Sequence, residues 1–186
     1  MRMSRHDAAK NRERVLRTAS EMFRKDGYDG TGIAALMKAS GMTNGAFYKQ
    51  FDSKEALIAE ATAQALTENA AAWTKVLAKA EGDPLAVIAQ WYLSDPHLEH
   101  RDRGCTYATL AAEAPRHEGA VRKAFDDGLR RTLEIISGLD ETGDAQRGET
   151  AALRYLSRLV GALILARAVE DPDLSRRILE ANRVSD

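Results

Sequence analysis

Cysteine occurs once in the 186 residues, at Cys105, which excludes an intrachain disulfide framework and fits a reducing compartment. Proline occurs only 4 times, so little interrupts a composition rich in Ala, Leu, Arg and Glu. No segment repeats the Val/Ile/Thr alternation of a half-buried strand, so the expected fold class is all-α. No apolar run approaches the roughly 20 residues needed to span a bilayer. No signal peptide precedes the first helix, and the expected setting is cytoplasmic with no membrane partner. A glycine-rich phosphate loop, a cysteine pair and a nucleophile elbow are all missing, so the chain reads as no enzyme and no cofactor is expected.

Excess charge of one sign is missing too, since the net charge is -1. That balance argues against a nonspecific nucleic-acid binder, but the charges are unevenly placed. Residues 1–56 carry 11 Lys and Arg against 7 Asp and Glu, whereas the remainder carries 16 against 21. A basic amino-terminal third on an acidic body points to one part that meets an anion and one that does not. The expected domains are accordingly 1–56 and 57–186.

What is present is helical periodicity. Val15, Leu16, Ala19, Met22 and Phe23 make the stripe of an amphipathic helix over about 8–26, with Gly27 as its φ > 0 stop. Gly30-Thr31-Gly32 opens a short helix with Ile33, Leu36 and Met37 inward, and Gly41 breaks it. Thr43 caps a helix lasting to Lys49, and Ser53 caps another to about Ala80. Asp83-Pro84 and Asp171-Pro172 each set a capping carboxylate before a proline suited to the first helical turn. Further helices are expected over about 116–137, 146–169 and 172–182, with breaks at Ser94-Asp95-Pro96 and Ala114-Pro115. The count comes to about nine.

Residues 33–49 have the outline of a helix-turn-helix. On a helical wheel Asn44, Gly45, Tyr48 and Lys49 share one arc, while Ala46 and Phe47 face the other way toward Leu16, Met22 and Phe23. An asparagine amide can pair bidentately with adenine in a major groove, and a glycine lets the backbone approach closely. Tyr48, Lys49 and Thr43 suit phosphate contacts, with Thr43 at a helix N-terminus where amides favour an anion. An arm of Arg2, Arg5, Lys10 and Arg12 suits a minor groove, or equally a solvated terminus.

Residues 14–58, RVLRTASEMFRKDGYDGTGIAALMKASGMTNGAFYKQFDSKEALI, resemble the DNA-binding domain of the TetR family of bacterial transcriptional regulators. The resemblance rests on Phe23 with Gly27-Tyr28, Gly41-Met42-Thr43, Tyr48 with Phe51, and Ser53-Lys54-Glu55. It implies DNA contacts from Thr43, Asn44, Gly45, Tyr48 and Lys49, with Lys54 gripping a phosphate from the next helix. The family usually has two hydroxyl residues where this chain has Thr31-Gly32, which leaves Thr31 as the phosphate contact there. It often has His at Gln50 and a basic residue at Asn44, so base preference stays open.

The body carries weaker signals. His97 and His100 stand one turn apart without a third ligand at suitable spacing, so no metal is expected and a surface turn is the plainer reading. Trp73, Trp91, Tyr92, Tyr107, Leu110 and Phe125 are core by default. The resemblance implies a small-molecule effector site in this body, for which Trp91, Tyr92, Cys105, Tyr107 and Phe125 are the candidates. Cys105, near a helix start with Arg101 and Arg103, reads either as a low-pKa sensor thiol or as a small buried residue.

Leu153, Leu156, Val160, Leu163 and Ile164 form a stripe interleaved with Gly161 and alanines, and Leu174 and Ile178 begin a second one. A helix apolar over so wide an arc meets its own body on one side and something else on another. The resemblance implies a homodimer through these last two helices, purely intrachain packing being the alternative. The whole reads as a dimeric repressor released from a pseudo-palindromic operator by a small-molecule effector. The alternative is a ligand-binding helical protein whose helix-turn-helix no longer reads DNA, as Gly32 and Asn44 would allow.

Overall fold

The computed structural model describes residues 5–140 and 144–183; Arg2 and the Arg5 side chain lie outside the described part. An amino-terminal unit is built from α1 (Arg5–Asp26), α2 (Ile33–Ala39) and α3 (Asn44–Phe47). The body holds α4 (Lys54–Leu77), α5 (Pro84–Tyr92), α6 (Asp95–Glu99), α7 (Thr106–Leu110), α8 (Gly119–Ser137), α9 (Ala145–Ala168) and α10 (Pro172–Arg183). Two 3-10 turns, Arg101–Arg103 and Ala114–Arg116, flank α7. Among the described residues the fold is all-α, with ten α-helices and no strand.

Val15, Ala19 and Phe23 of the α1 stripe are buried, and each fully buried large apolar side chain contributes about 1.5–3 kcal/mol. Gly27 ends α1 at φ 79°, its amide donating to Phe23 O at 2.8 Å. The left-handed conformation there favours glycine. Ser53 Oγ accepts from the Ala56 amide, Asp83 from the Leu85 and Ala86 amides, and Asp171 from the Asp173 amide. The expected caps therefore act at all three helix starts.

Some boundaries differ from the sequence reading, each for a local reason. α3 stops at Phe47 rather than Lys49, because the Gln50 amide tightens onto Phe47 O at 2.8 Å in an i→i+3 bond. α4 ends at Leu77 rather than Ala80, where the Lys79 and Ala80 amides likewise form i→i+3 bonds, to Val76 O and Leu77 O. α8 begins at Gly119 rather than 116, since Pro115 sits in a 3-10 turn. α7 begins at the helix start expected near Cys105 and lasts only five residues.

Two apolar clusters organise the molecule. The amino-terminal one gathers Phe23, Tyr28, Leu36, Phe47 and Phe51 around Leu57, Ile58 and Ala61 of α4, and takes in Leu110, Ala114 and Val121 from the body. The other gathers Leu66 and Trp73 of α4 with Ile88, Tyr92, Ile136, Leu159, Leu163 and Leu179. α4 thus belongs to both clusters. It packs closely on α8, where a Cβ added to Gly128 would come within 2.8 Å of the Leu66 side chain. The expected boundary at residues 56 and 57 falls inside the first turn of α4, so continuous helix joins the two units.

Candidate functional site

The turn between α2 and α3 runs through Gly41 at φ 68°, and the Met42 amide closes it onto Met37 O at 2.8 Å. Phe47 is wholly buried and anchors α3, which leaves Thr43, Asn44, Gly45, Tyr48 and Lys49 exposed. Tyr48 is 71% exposed, an unusual position for a large aromatic side chain, and its ring meets Phe47 edge-on at 5.0 Å. A Cβ added to Gly45 would meet nothing within 4 Å, so no packing inside this chain calls for a glycine there. Thr43 occupies the N-cap position, yet its hydroxyl makes no cap hydrogen bond. The four residues of α3 give only a small dipole, so Lys49 supplies the positive charge on this face.

Two expected phosphate contacts are placed differently. Thr31 is buried, and its hydroxyl donates to Gly27 O at 3.0 Å, so it braces the loop instead of facing outward. Lys54 donates through Nζ to Tyr28 O at 2.7 Å, so in this state it holds the loop between α1 and α2. Arg12 of the expected arm pairs with Glu60 at 2.6 Å and lies over the Phe51 ring. Lys10 is exposed.

A set of junction contacts escaped sequence reasoning because its partners lie far apart along the chain. The Tyr28 hydroxyl hydrogen-bonds with Thr62 Oγ1 at 2.7 Å, and the Tyr28 ring meets His117 edge-on at 4.8 Å. Burial pushes the Tyr28 phenol well above its ordinary pKa. Glu55 accepts from the Glu118 amide at 2.9 Å and faces His117 Nδ1 at 3.1 Å. The buried guanidinium of Arg24, on α1, donates through Nε to Asp102 O at 2.7 Å. Arg24 thereby ties the amino-terminal unit to a 3-10 turn of the body.

Of the five candidate effector residues, three line one cavity of about 350 Å³: Trp91, Tyr92 and Cys105. Tyr107 and Phe125 line a different part of the interior; Tyr107 hydrogen-bonds Thr132 at 3.1 Å and packs beside Phe125. Burial pushes the Cys105 thiol up, opposite to the sensor reading, because the thiolate would have to leave water. His97 is a half-buried structural tie and not part of a surface turn. Its Nδ1–H donates to Tyr92 O, and its Nε2 accepts from the Cys105 amide at 2.9 Å. Burial lowers its pKa to about 4. Among the described residues no cluster of three His, Cys, Asp or Glu side chains could hold a metal.

The expected dimer stripe splits in two. Leu156 and Leu163 are buried in the chain's own core, at 5% and 0% exposure, because α9 turns that side toward the body. Leu153, Ile164 and Leu174 are exposed, while Val160, Gly161 and Ile178 are half-buried. Leu165, absent from the expected set, is 58% exposed and extends the patch. A Cβ at Gly161 would meet nothing within 4 Å. No described helix is long and apolar enough to cross a membrane.

Comparison with known proteins agrees with this geometry. The family model described as bacterial regulatory proteins, tetR family, matches residues 15–61. The HTH-type transcriptional repressor NemR of Escherichia coli is 27% identical over 144 residues, which cover 76% of this chain and 72% of NemR. The crystal structure of reduced E. coli NemR superposes with a TM-score of 0.77 at 22% identity, covering 93% of this chain and 95% of that one. A TetR transcriptional regulator from Chloroflexus aurantiacus superposes at 0.79 with 24% identity, over 96% of this chain and 94% of the other. The structures carry the fold, and the family match covers the amino-terminal unit and the start of α4. Residues 15–61 thus match the tetR family of bacterial regulatory proteins, and the chain as a whole is similar to regulators of that kind.

Proposed function

We propose that this chain is a homodimeric transcriptional repressor, released from a pseudo-palindromic operator when a small molecule binds its body. The observation that carries the reading is Tyr48, 71% exposed beside Asn44, Gly45 and Lys49 on the outer face of α3. An exposed phenol, an amide, a bare backbone and an ammonium together match the chemistry of a major-groove edge flanked by phosphates. In this reading Asn44 and Gly45 meet bases, while Thr43, Tyr48 and Lys49 meet backbone. Lys54 reaches a phosphate by exchanging Tyr28 O for it.

Residues 1–56 act as the reader and 57–186 as the effector-binding and dimerising body. The dimer forms through Leu153, Val160, Gly161, Ile164, Leu165, Leu174 and Ile178, a patch whose exposed apolar groups favour a partner surface. A two-fold axis there sets the two readers at the roughly 34–36 Å, or modestly more, that adjacent major grooves demand. Effector and operator then oppose one another through a coupling of about 1–3 kcal/mol. The protein works in the cytoplasm.

Selection of bound sequences from random duplex DNA tests the reading, with Tyr48→Ala run in parallel. Wild type enriches a pseudo-palindrome and the variant enriches nothing. Absence of any enriched sequence at low salt would overturn the proposal.

A further inference from the structure

The cavity beside α5 and α6 has a chemical character that narrows its occupant. Its walls include Trp73, Trp91, Tyr92 and His97, four rings in mutual contact. Trp91 and His97 lie nearly parallel, 19° apart, while Trp73 meets Trp91 edge-on at 84°. Such walls reward a flat ring that can lie along one face and present its edge to another. At about 350 Å³ the cavity sits near the lower end of ligand sites, suited to one or two fused rings.

Charge narrows the choice further. No Asp or Glu lines the cavity, whereas Arg103 and His100 do. His97 has both ring nitrogens engaged, one donating to Tyr92 O and one accepting from the Cys105 amide, so it stands neutral between the rings. A cationic ligand would enter beside Arg103 without a carboxylate counter-charge, leaving only the ring faces to offset its desolvation. A carboxylate or phenol at the mouth would instead meet the Arg103 guanidinium, which is exposed and only loosely paired with Asp102 at 3.6 Å.

The 3-10 turn Arg101–Arg103 joins this cavity to the reader. Arg103 and Gly104 line the cavity, while the carbonyl of Asp102, the residue just before them, accepts from Arg24 of α1. A ligand that displaces this turn therefore pulls on the amino-terminal unit through one hydrogen bond.

We propose that this cavity is the effector site and that it takes a planar aromatic molecule that is neutral or anionic, felt by the reader through Asp102 and Arg24. The proposal rests on the effector-released reading above, and the test of the site itself needs no DNA. Three probes of one shape and different charge are 1-naphthol, 1-naphthoate and 1-naphthylmethylammonium. Their binding to the full chain is followed by calorimetry and by the fluorescence of Trp73 and Trp91, the protein's two tryptophans.

The naphthol and the naphthoate bind, and the ammonium binds at least about tenfold more weakly. Trp91→Ala weakens both by a similar factor, and Ala72→Trp, which fills the cavity without removing core, does the same. Equal binding of the ammonium, failure of all three probes, or unchanged binding by Ala72→Trp would overturn the proposal. Those failures leave operator selection by the same protein untouched, so the two readings fall separately. Arg24→Gln keeps probe affinity while the naphthoate no longer weakens binding to the selected operator; retention of that effect would overturn the link through Arg24.

Discussion

The Tyr28 amide donates to the Glu113 carboxylate at 2.9 Å, across 85 positions of sequence. This bond fastens the turn after α1 to the segment after α7, and a Cβ on neighbouring Gly27 would come within 2.8 Å of the same carboxylate. Glu113→Ala leaves a partly buried amide unpaired and is expected to cost about 1–3 kcal/mol. Urea unfolding monitored by circular dichroism measures it.

Gly27→Ala should also destabilise, by more than about 1 kcal/mol, since φ is 79° and the methyl meets Glu113. Pairing it with Glu113→Ala relieves the clash but not the backbone strain. The double variant is therefore less unstable than the two single costs added together, which a thermodynamic cycle resolves.

Tyr48→Ala separates recognition from folding. The side chain is 71% exposed, so stability stays within about 0.5 kcal/mol of wild type. Operator affinity drops at the same time, and a thermal melt beside a gel-shift titration reads both.

The α9 surface offers a similar contrast. Ile164→Glu with Leu165→Glu, both on exposed positions, yields a helical monomer in sedimentation velocity. Leu163→Ala, wholly buried, instead costs about 2–5 kcal/mol whatever the oligomeric state.

His97 gives stability a pH dependence of defined sign. Its folded pKa, about 4, lies below the ordinary 6.5, so between those values the unfolded chain binds the extra proton. Its contribution is fully present above pH 6.5 and is lost as pH falls toward 4. His97→Gln flattens this part of the profile, and the difference between the two unfolding curves across the window isolates the group. Equal slopes would count against the assignment.

What the sequence made readable was whatever is decided within a turn or two of chain. The stripe of Val15, Ala19 and Phe23, the caps at Ser53, Asp83 and Asp171, and the outward arc of Asn44, Gly45, Tyr48 and Lys49 depend on neighbours a few positions away. Thr31 misled because its hydroxyl turns back to Gly27 O in a loop whose shape a composition does not show. Lys54 finds Tyr28 O, a partner 26 positions distant. Leu163 and Ile164 are adjacent on a helix apolar over a wide arc. Only the packing of that helix within the body decides that one is buried and the other exposed. Tyr107 and Phe125 left the candidate pocket for a comparable reason, since aromatic character marks burial without saying which interior space a ring borders.

The helix shared by the two apolar clusters has a mechanical meaning. α4 is 24 residues long, which at 1.5 Å per residue makes a rod of about 36 Å. Leu57 and Ile58 fix one end in the amino-terminal cluster, and Trp73 fixes the other in the body. If that rod pivots by about 5° at its body end, its far end sweeps about 3 Å, close to the rise of one base pair. Two such levers set back to back would double the error in register. A shift too small to disturb either core is thus large enough to carry a reading head off its groove.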